Sequence, residues 1–181
     1  YVLGPKVKNF EEKFAAICGA KHCIALSSGT AAVHGMIWAA DLPAGSGLIT
    51  PPNTFTATAE GIVLAGHVPV FVDAEPGSWN LSPEKTGEFL KSCSSSGKPV
   101  DPKTGAPIRG IVGVDLYGQA ADYRGLQKIA DEYGLFLFED AAQSHDAGAL
   151  DVSPDGHDDG PYHLEEAYER QQVEELDRCG P

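Results

Sequence analysis

The chain has 181 residues, 42% of them hydrophobic, and a formal net charge of −13. That length supports one domain with a real core, and the negative charge argues against nucleic acid and anionic membrane surfaces as partners. The charge is uneven, since residues 1–150 carry 16 acids and 11 bases, whereas residues 151–181 carry 10 acids and 2 bases. We therefore expect a folded domain over 1–150 and a divergent acidic tail over 151–181 that is disordered or artefactual.

Hydrophobic periodicity predicts helices and strands in regular alternation. The strands are apolar on both faces, which is typical of a parallel sheet covered by helices on both sides. In such α/β folds, ligands bind beyond the carboxyl ends of the strands. In chain order we predict helix 5–18, strand 22–26, helix 29–40, strand 47–50, helix 54–66, strand 68–73, helix 85–91, a polar surface loop 92–107, strand 108–114, helix 123–134 and strand 135–140.

Four cysteines, at positions 18, 23, 93 and 179, form no C-x-x-C pair. Scattered thiols favour a reducing compartment, so we predict a cytoplasmic protein. Cys18, His22 and Cys23 could be drawn as a metal site, but without a second ligand pair no metal is predicted. Prolines and polar residues interrupt the uncharged runs, so no signal peptide or spanning helix is predicted. Because the chain begins at Tyr1 and its only methionine is Met36, we expect a fragment at its front end.

The stretch "SSGTAA" follows the first predicted strand and opens a helix. Gly29 permits a tight turn, and the N–H groups of Thr30 and Ala31 then point out of the helix N-terminus, where they could cradle a phosphate. The commoner alternative is an ordinary cap by a serine or threonine side chain. The sequence lacks G-x-x-x-x-G-K-[ST], G-x-G-x-x-G after a strand, and G-x-S-x-G, which removes the usual nucleotide and esterase motifs.

Two further residues lie at predicted strand ends. Phe55 stands near a helix start, where an aromatic ring is either a core side chain or a surface that stacks on a flat ligand. Asp140 ends the run "LFLFED" and could bind a metal, cap a turn or pair with a cation. A carboxylate here would suit a protonated pyridine nitrogen, because a charge-assisted bond keeps the ring cationic. With the phosphate cradle, these residues describe a site for pyridoxal 5′-phosphate.

Three stretches of the chain resemble the DegT/DnrJ/EryC1/StrS family of pyridoxal phosphate-dependent sugar aminotransferases, over roughly residues 2–150. They are "GPKVKNFEEKFAAICGAKHCIALSSGTAAVH", "ITPPNTFTATAEGIVLAGHVPVFVD" and "DLYGQAADYRGLQKIADEYGLFLFEDAAQSH". The resemblance implies part of the large domain of a fold type I aminotransferase. It also implies a homodimer, and amino transfer from glutamate to a keto-sugar nucleotide.

The resemblance also assigns roles to individual positions. It implies that Gly29, Thr30 and Ala31 hold the cofactor phosphate and that Phe55 stacks on the ring face. Asp140 would bind the ring nitrogen, and Gln143 would lie near the ring 3-hydroxyl. The family's Schiff-base lysine follows the aspartate by a few tens of residues, but no lysine follows Lys128 in this chain. No catalytic residue is therefore assigned, and the chain as written is expected to be incomplete and inactive.

Several alternatives remain open. The family pattern stops near Leu150, where the charge balance changes, and a frame or exon-boundary error is the preferred explanation of the tail. His145, His157 and His163 do not stand in the context of the histidine that replaces the lysine in related dehydratases, so none receives that role. The rival functions are a lysine-free, cofactor- or partner-binding pseudoenzyme and a phosphate-binding module with a metal on Asp140. A truncated sheet with an exposed edge could also fail to fold stably.

Overall fold

The computed structural model describes residues 4–93 and 98–144. His145 and the predicted acidic tail 151–181 lie outside these described residues. The elements are α1 Pro5–Ile17, α2 Gly29–Ala39, β1 Gly47–Thr50, α3 Thr56–Leu64, β2 Val68–Phe71, α4 Pro83–Cys93, β3 Ile108–Val114, a short 3₁₀ turn Leu116–Gly118, α5 Tyr123–Tyr133 and β4 Phe136–Asp140.

The four strands form one parallel sheet in the order β2-β1-β3-β4. Pro69 lies in β2, at the edge of this sheet, where a residue without an N–H can be accommodated. At the carboxyl end, Val114 of β3 is level with Asp140 of β4. The parallel α/β architecture predicted from the alternating pattern is confirmed.

Helices cover both faces of the sheet. On one face, α4 and α5 pack their apolar side chains against the strands, and the buried residues include Leu90, Leu126, Ala130, Ile49 and Ile111. On the other face, α2 and α3 do the same, with Val33, Ile37, Ile62, Leu48 and Val112. The central strands β1 and β3 thus contribute side chains to both cores, which is why they read as continuous apolar runs.

The predicted strand at 22–26 is wrong. This segment belongs to no sheet in the described chain, and Ile24 and Leu26 remain 65% and 51% exposed. The Ala25 N–H donates to the Glu11 carboxylate at 2.8 Å instead of to a neighbouring strand. β-prone residues form a strand only when another edge is available to pair with them, and local sequence does not supply that information.

The predicted polar surface loop at 92–107 contains a buried acid. Asp101 is only 3% exposed, and its carboxylate accepts hydrogen bonds from the Thr104 hydroxyl at 2.5 Å and the Thr104 N–H at 3.1 Å. An antiparallel bridge joins Val100 to Pro107 around this turn. The side chain of Asp101 replaces missing backbone partners, as aspartates do in turns. The described part of this segment is therefore an ordered turn and not a wholly exposed loop.

Gly61 sets the separation of α2 and α3. A Cβ atom at Gly61 would lie 2.7 Å from Val33 Cγ1 and 3.1 Å from the His34 backbone nitrogen. Gly61→Ala is expected to lower the free energy of unfolding, because overpacking costs about 1–3 kcal/mol and exceeds the roughly 1 kcal/mol that alanine gains in a helix. Urea unfolding followed by circular dichroism measures the change.

Gly87→Ala in α4 is the matched control for this substitution. A Cβ atom at Gly87 would make only an ordinary contact, 3.9 Å from Ile129 Cδ1. This variant is expected to be as stable as the unchanged chain, or more stable by up to about 1 kcal/mol. Equal effects of the two substitutions would show that α2 and α3 do not approach each other at Gly61.

Candidate functional site

The site is built where the carboxyl ends of the parallel strands meet the N-terminus of α2. A Cβ atom placed on Gly29, the first residue of α2, would lie 3.9 Å from Ala142 Cβ in the segment after β4. The segment after β1 leads directly through Phe55 into α3. Parallel pairing therefore brings three distant parts of the sequence to one edge, as expected for a ligand site in an α/β fold.

Asp140 is the last residue of β4 and is half-buried. Its Oδ2 accepts a hydrogen bond from Thr58 Oγ1 at 2.7 Å, and its Oδ1 accepts from the Ala142 N–H at 3.3 Å. Thr58 is fully buried in α3, and its hydroxyl lies 2.8 Å from that of Thr54. A carboxylate offers about four acceptor positions, so both oxygens can receive a further donor. The hydroxyl of Thr58 fixes the carboxylate while leaving it able to bind a cation.

Phe55 precedes α3 as its N-cap residue and is 73% exposed. Its backbone carbonyl accepts a hydrogen bond from the Thr58 N–H at 3.1 Å, which ties its position to the residue that holds Asp140. An exposed ring is not a core side chain, so that alternative for Phe55 is wrong. The ring is accessible to a flat ligand.

The N-terminus of α2 is capped by its own sequence. The Ser28 hydroxyl accepts a hydrogen bond from the Ala31 N–H at 3.1 Å, so the serine cap considered among the alternatives is present. The first N–H groups of a helix have no acceptor within that helix. The N–H groups of Gly29 and Thr30 therefore remain suited to an anion. The Ala31 N–H, which donates to Ser28 Oγ, could be shared between Ser28 and that anion.

Gln143 lies in the turn after β4 with an exposed side chain. Its Oε1 accepts a hydrogen bond from the Tyr117 N–H at 2.6 Å. Tyr117 has a φ of 59°, a conformation that residues with side chains seldom adopt, and this hydrogen bond helps to hold it. With the carbonyl oxygen so engaged, the amide NH₂ of Gln143 is the group left to donate to a ligand.

Residue-by-residue reading of the sequence missed a buried polar cluster beside these groups. Asp115 follows β3, is 1% exposed, and accepts hydrogen bonds from Tyr123 Oη at 2.7 Å and Ser144 Oγ at 2.6 Å. Burial, and then the nearby carboxylates of Glu139, Asp115 and Asp140, raise the pKa of Tyr123 strongly. The phenol therefore keeps its proton and acts as a donor. A signal was present in the sequence, since "GVD" places an acid directly after a buried strand, much as "FED" places two acids at the end of one.

The described residues, 4–93 and 98–144, also contain acids, histidines and cysteines outside this site. There, no group of three or more His, Cys, Asp and Glu side chains could hold a metal ion. Cys23 and Cys93 are free thiols. None of the helices in this part of the chain is long and apolar enough to cross a membrane.

Comparison with known proteins places this arrangement in a defined group. The model of the DegT/DnrJ/EryC1/StrS aminotransferase family matches residues 1–153. The UDP-2-acetamido-2-deoxy-3-oxo-D-glucuronate aminotransferase of Pseudomonas aeruginosa is 40% identical over 147 residues, which are 81% of this chain and 37% of that protein. The dTDP-3-amino-3,6-dideoxy-alpha-D-galactopyranose transaminase of Aneurinibacillus thermoaerophilus is 36% identical over the same coverage. The chain thus spans little more than a third of the length of these curated relatives.

Solved structures give the same result. The crystal structure of a DegT DnrJ EryC1 StrS aminotransferase from Brucella abortus matches with a TM-score of 0.70 and 37% identity, covering 80% of this chain and 37% of that one. NtdA from Bacillus subtilis, solved with bound cofactor PMP, matches with a TM-score of 0.67 and 31% identity over 78% of this chain and 29% of its own.

Proposed function

The chain belongs to the DegT/DnrJ/EryC1/StrS aminotransferase family, and from this premise we propose that it contributes the cofactor-binding edge of a pyridoxal phosphate-dependent sugar aminotransferase. The observation that carries the proposal is the half-buried Asp140, fixed by Thr58 at 2.7 Å beside a capped helix N-terminus. A buried carboxylate is costly unless a cation or donors meet it. A protonated ring nitrogen would supply that cation.

The residues present fit the cofactor. The N–H groups of Gly29, Thr30 and Ala31, with the Ser28 hydroxyl, suit its phosphate. The exposed ring of Phe55 suits its ring face, Asp140 its ring nitrogen, and the amide NH₂ of Gln143 its 3-oxygen. When bound, pyridoxal phosphate supplies the electron sink for amino-group chemistry.

This chain's own residues then have distinct tasks. Asp140 holds the proton on the ring nitrogen, because a charge-assisted bond favours the cationic form. Thr58 orients Asp140 by occupying one lone pair of Oδ2. Phe55 is held in place through its carbonyl, which the Thr58 N–H binds. The two contacts of Thr58 link ring stacking and ring protonation to one buried residue.

The activity of the complete protein follows from the family as a proposal. We infer transfer of an amino group from glutamate to a nucleotide-linked keto-sugar, in a cytoplasmic homodimer. The aminotransferase names of the Pseudomonas and Aneurinibacillus relatives support the substrate class. No lysine follows Asp140 in this sequence, so none of its residues is assigned to covalent cofactor binding.

A second candidate function is a lysine-free cofactor-binding protein. It is favoured because the chain has a site at Asp140 that fits the cofactor but has no lysine after Lys128. Borohydride reduction after incubation with pyridoxal phosphate tests whether the chain holds the cofactor without a covalent bond. Reversible binding without label at any single lysine favours the binding protein, whereas stoichiometric label at one lysine identifies a covalent site and excludes it.

Binding is tested with the full chain and pyridoxamine 5′-phosphate, which has no aldehyde and so does not react with surface lysines. We expect saturable quenching of ligand or tryptophan fluorescence, and binding at least about tenfold weaker for pyridoxamine, because it lacks the phosphate that the helix N-terminus receives. Equal affinity for the two ligands would contradict the phosphate site.

Catalysis by this chain alone is tested separately. Purified residues 1–181 are expected to show no transamination from glutamate above that of free pyridoxal phosphate, because proton transfer in this chemistry needs a positioned amine. Product formation is followed by mass spectrometry with a generic keto acid as acceptor. Clear turnover by residues 1–181 without an added lysine would refute the expectation that this chain alone is inactive.

A further inference from the structure

We propose that Asp115 is a positioning residue that sets the side chain of Gln143 against the cofactor. The inference rests on the proposed function and goes beyond it, because the side chain of Asp115 contacts none of the residues assigned to the ligand. It acts through Ser144, the next residue after Gln143, and through the turn that contains Tyr117.

Asp115 lies at the junction of two strand ends. Its N–H donates to the Asp140 carbonyl at 3.1 Å, which extends the pairing of β3 with β4 by one step. Its Oδ1 accepts from the Ala121 N–H at 3.0 Å and from Tyr123 Oη, while its Oδ2 accepts from Ser144 Oγ. The backbone of Asp115 thus joins β4, and its buried carboxyl group joins the segment 116–121, the start of α5 and the turn after β4.

The partners of Asp115 are constrained to be donors. The raised pKa of Tyr123 keeps its phenol protonated, and a serine hydroxyl facing an acceptor-only carboxylate must also donate. Gly113 leaves room for the ring of Tyr123, because a Cβ atom at Gly113 would lie 2.7 Å from Tyr123 Cε1. The three hydrogen bonds to the Asp115 carboxylate therefore depend on particular residues of this sequence and are not a chance contact.

A second bond completes the link to Gln143. Two turns face each other, one at 115–121 and one at 141–144, and two hydrogen bonds cross between them. Ser144 Oγ donates to Asp115 at 2.6 Å, and the Tyr117 N–H donates to Gln143 Oε1 at 2.6 Å. The first bond fixes the backbone of the turn that carries Gln143, and the second fixes the rotation of its amide. Together they direct the NH₂ group of Gln143 to the ligand side.

The experiment uses the full chain and four variants. Ser144→Ala and Tyr123→Phe each remove one donor to Asp115, and both keep a side chain of similar shape. Ser92→Ala and Tyr133→Phe are the matched controls: Ser92 is exposed in α4, and Tyr133 ends α5. Hydrogen exchange of the 116–119 amides is measured without ligand. Affinity is then compared for pyridoxamine 5′-phosphate and its 3-deoxy analogue.

We expect Ser144→Ala to speed hydrogen exchange of the Tyr117 amide. It should also weaken the binding of pyridoxamine 5′-phosphate by about 3- to 10-fold, the effect of one hydrogen bond. Binding of the 3-deoxy analogue should change little, because it has no 3-oxygen for Gln143 to meet. Tyr123→Phe should act in the same direction, and the two control variants should leave exchange and affinity unchanged.

Two results would overturn the inference while the proposed function stands. One is unaltered exchange at Tyr117 in both donor variants. The other is an equal loss of affinity for both ligands, which marks a purely structural role. If the unchanged chain binds neither ligand, the proposed function fails and Asp115 loses its cofactor role. Faster exchange in Ser144→Ala would then still demonstrate the coupling of the two turns.

Discussion

Asp140→Asn is expected to weaken binding of pyridoxamine 5′-phosphate by about 10- to 100-fold. The substitution keeps the shape of the side chain and an oxygen that can accept from Thr58, which donates to Asp140 at 2.7 Å. It removes the negative charge, and with it a charge-assisted bond worth about 1.5–3 kcal/mol. Fluorescence titration at constant ionic strength measures the two dissociation constants.

Asp131→Asn is the control for Asp140→Asn. Asp131 is exposed on α5, where it accepts a hydrogen bond from Gln127 Nε2 at 2.8 Å. The two substitutions change the net charge equally, so a difference between them reports on position alone. An equal effect on affinity would show that only the overall charge matters and would remove Asp140 from the site.

Ile111→Ala is expected to lower the free energy of unfolding by about 2–5 kcal/mol. Ile111 is fully buried in β3, and its neighbours across the sheet are Ile49 of β1 and Leu137 of β4. Truncation leaves a cavity between the sheet and the helices α4 and α5, and the surrounding structure can relax only partly. Urea unfolding followed by circular dichroism measures the loss.

Ile24→Ala provides the same chemical change at an exposed position, since Ile24 is 65% exposed in the segment 22–26, which belongs to no described strand. Its effect on unfolding is expected to stay within about 0.5 kcal/mol. Equal effects at the two positions, or no cooperative transition in the unchanged chain, would favour the alternative in which this sheet does not fold stably.

The sequence predicted the parts of the fold that depend on local pattern. Apolar runs such as "IRGIVGV" fill both faces of a central strand, so their length and composition were sufficient to predict a parallel sheet. Asp140 was identifiable because two acids at the end of a buried strand are costly without a partner. Its placement at the carboxyl edge of the sheet then followed from the parallel arrangement.

What the sequence did not predict depends on contacts between distant residues. The segment 22–26 has strand-forming residues, yet pairing requires an edge that its neighbours in the sequence do not determine. Thr58 is separated from Asp140 by 82 positions, and Ser144 from Asp115 by 29. Single hydroxyls in a helix or turn are common, and only the folded backbone shows which of them meet a carboxylate.

The state of the cofactor ring nitrogen tests the central claim most directly. Ring-¹⁵N-labelled pyridoxamine 5′-phosphate is bound to the full chain, and its nitrogen chemical shift is recorded at a pH where the free ligand is unprotonated at that atom. A protonated nitrogen in the unchanged chain, and an unprotonated one in Asp140→Asn, is the result expected if Asp140 faces the ring. An unprotonated nitrogen in the unchanged chain, or the same shift in both proteins, would contradict the account.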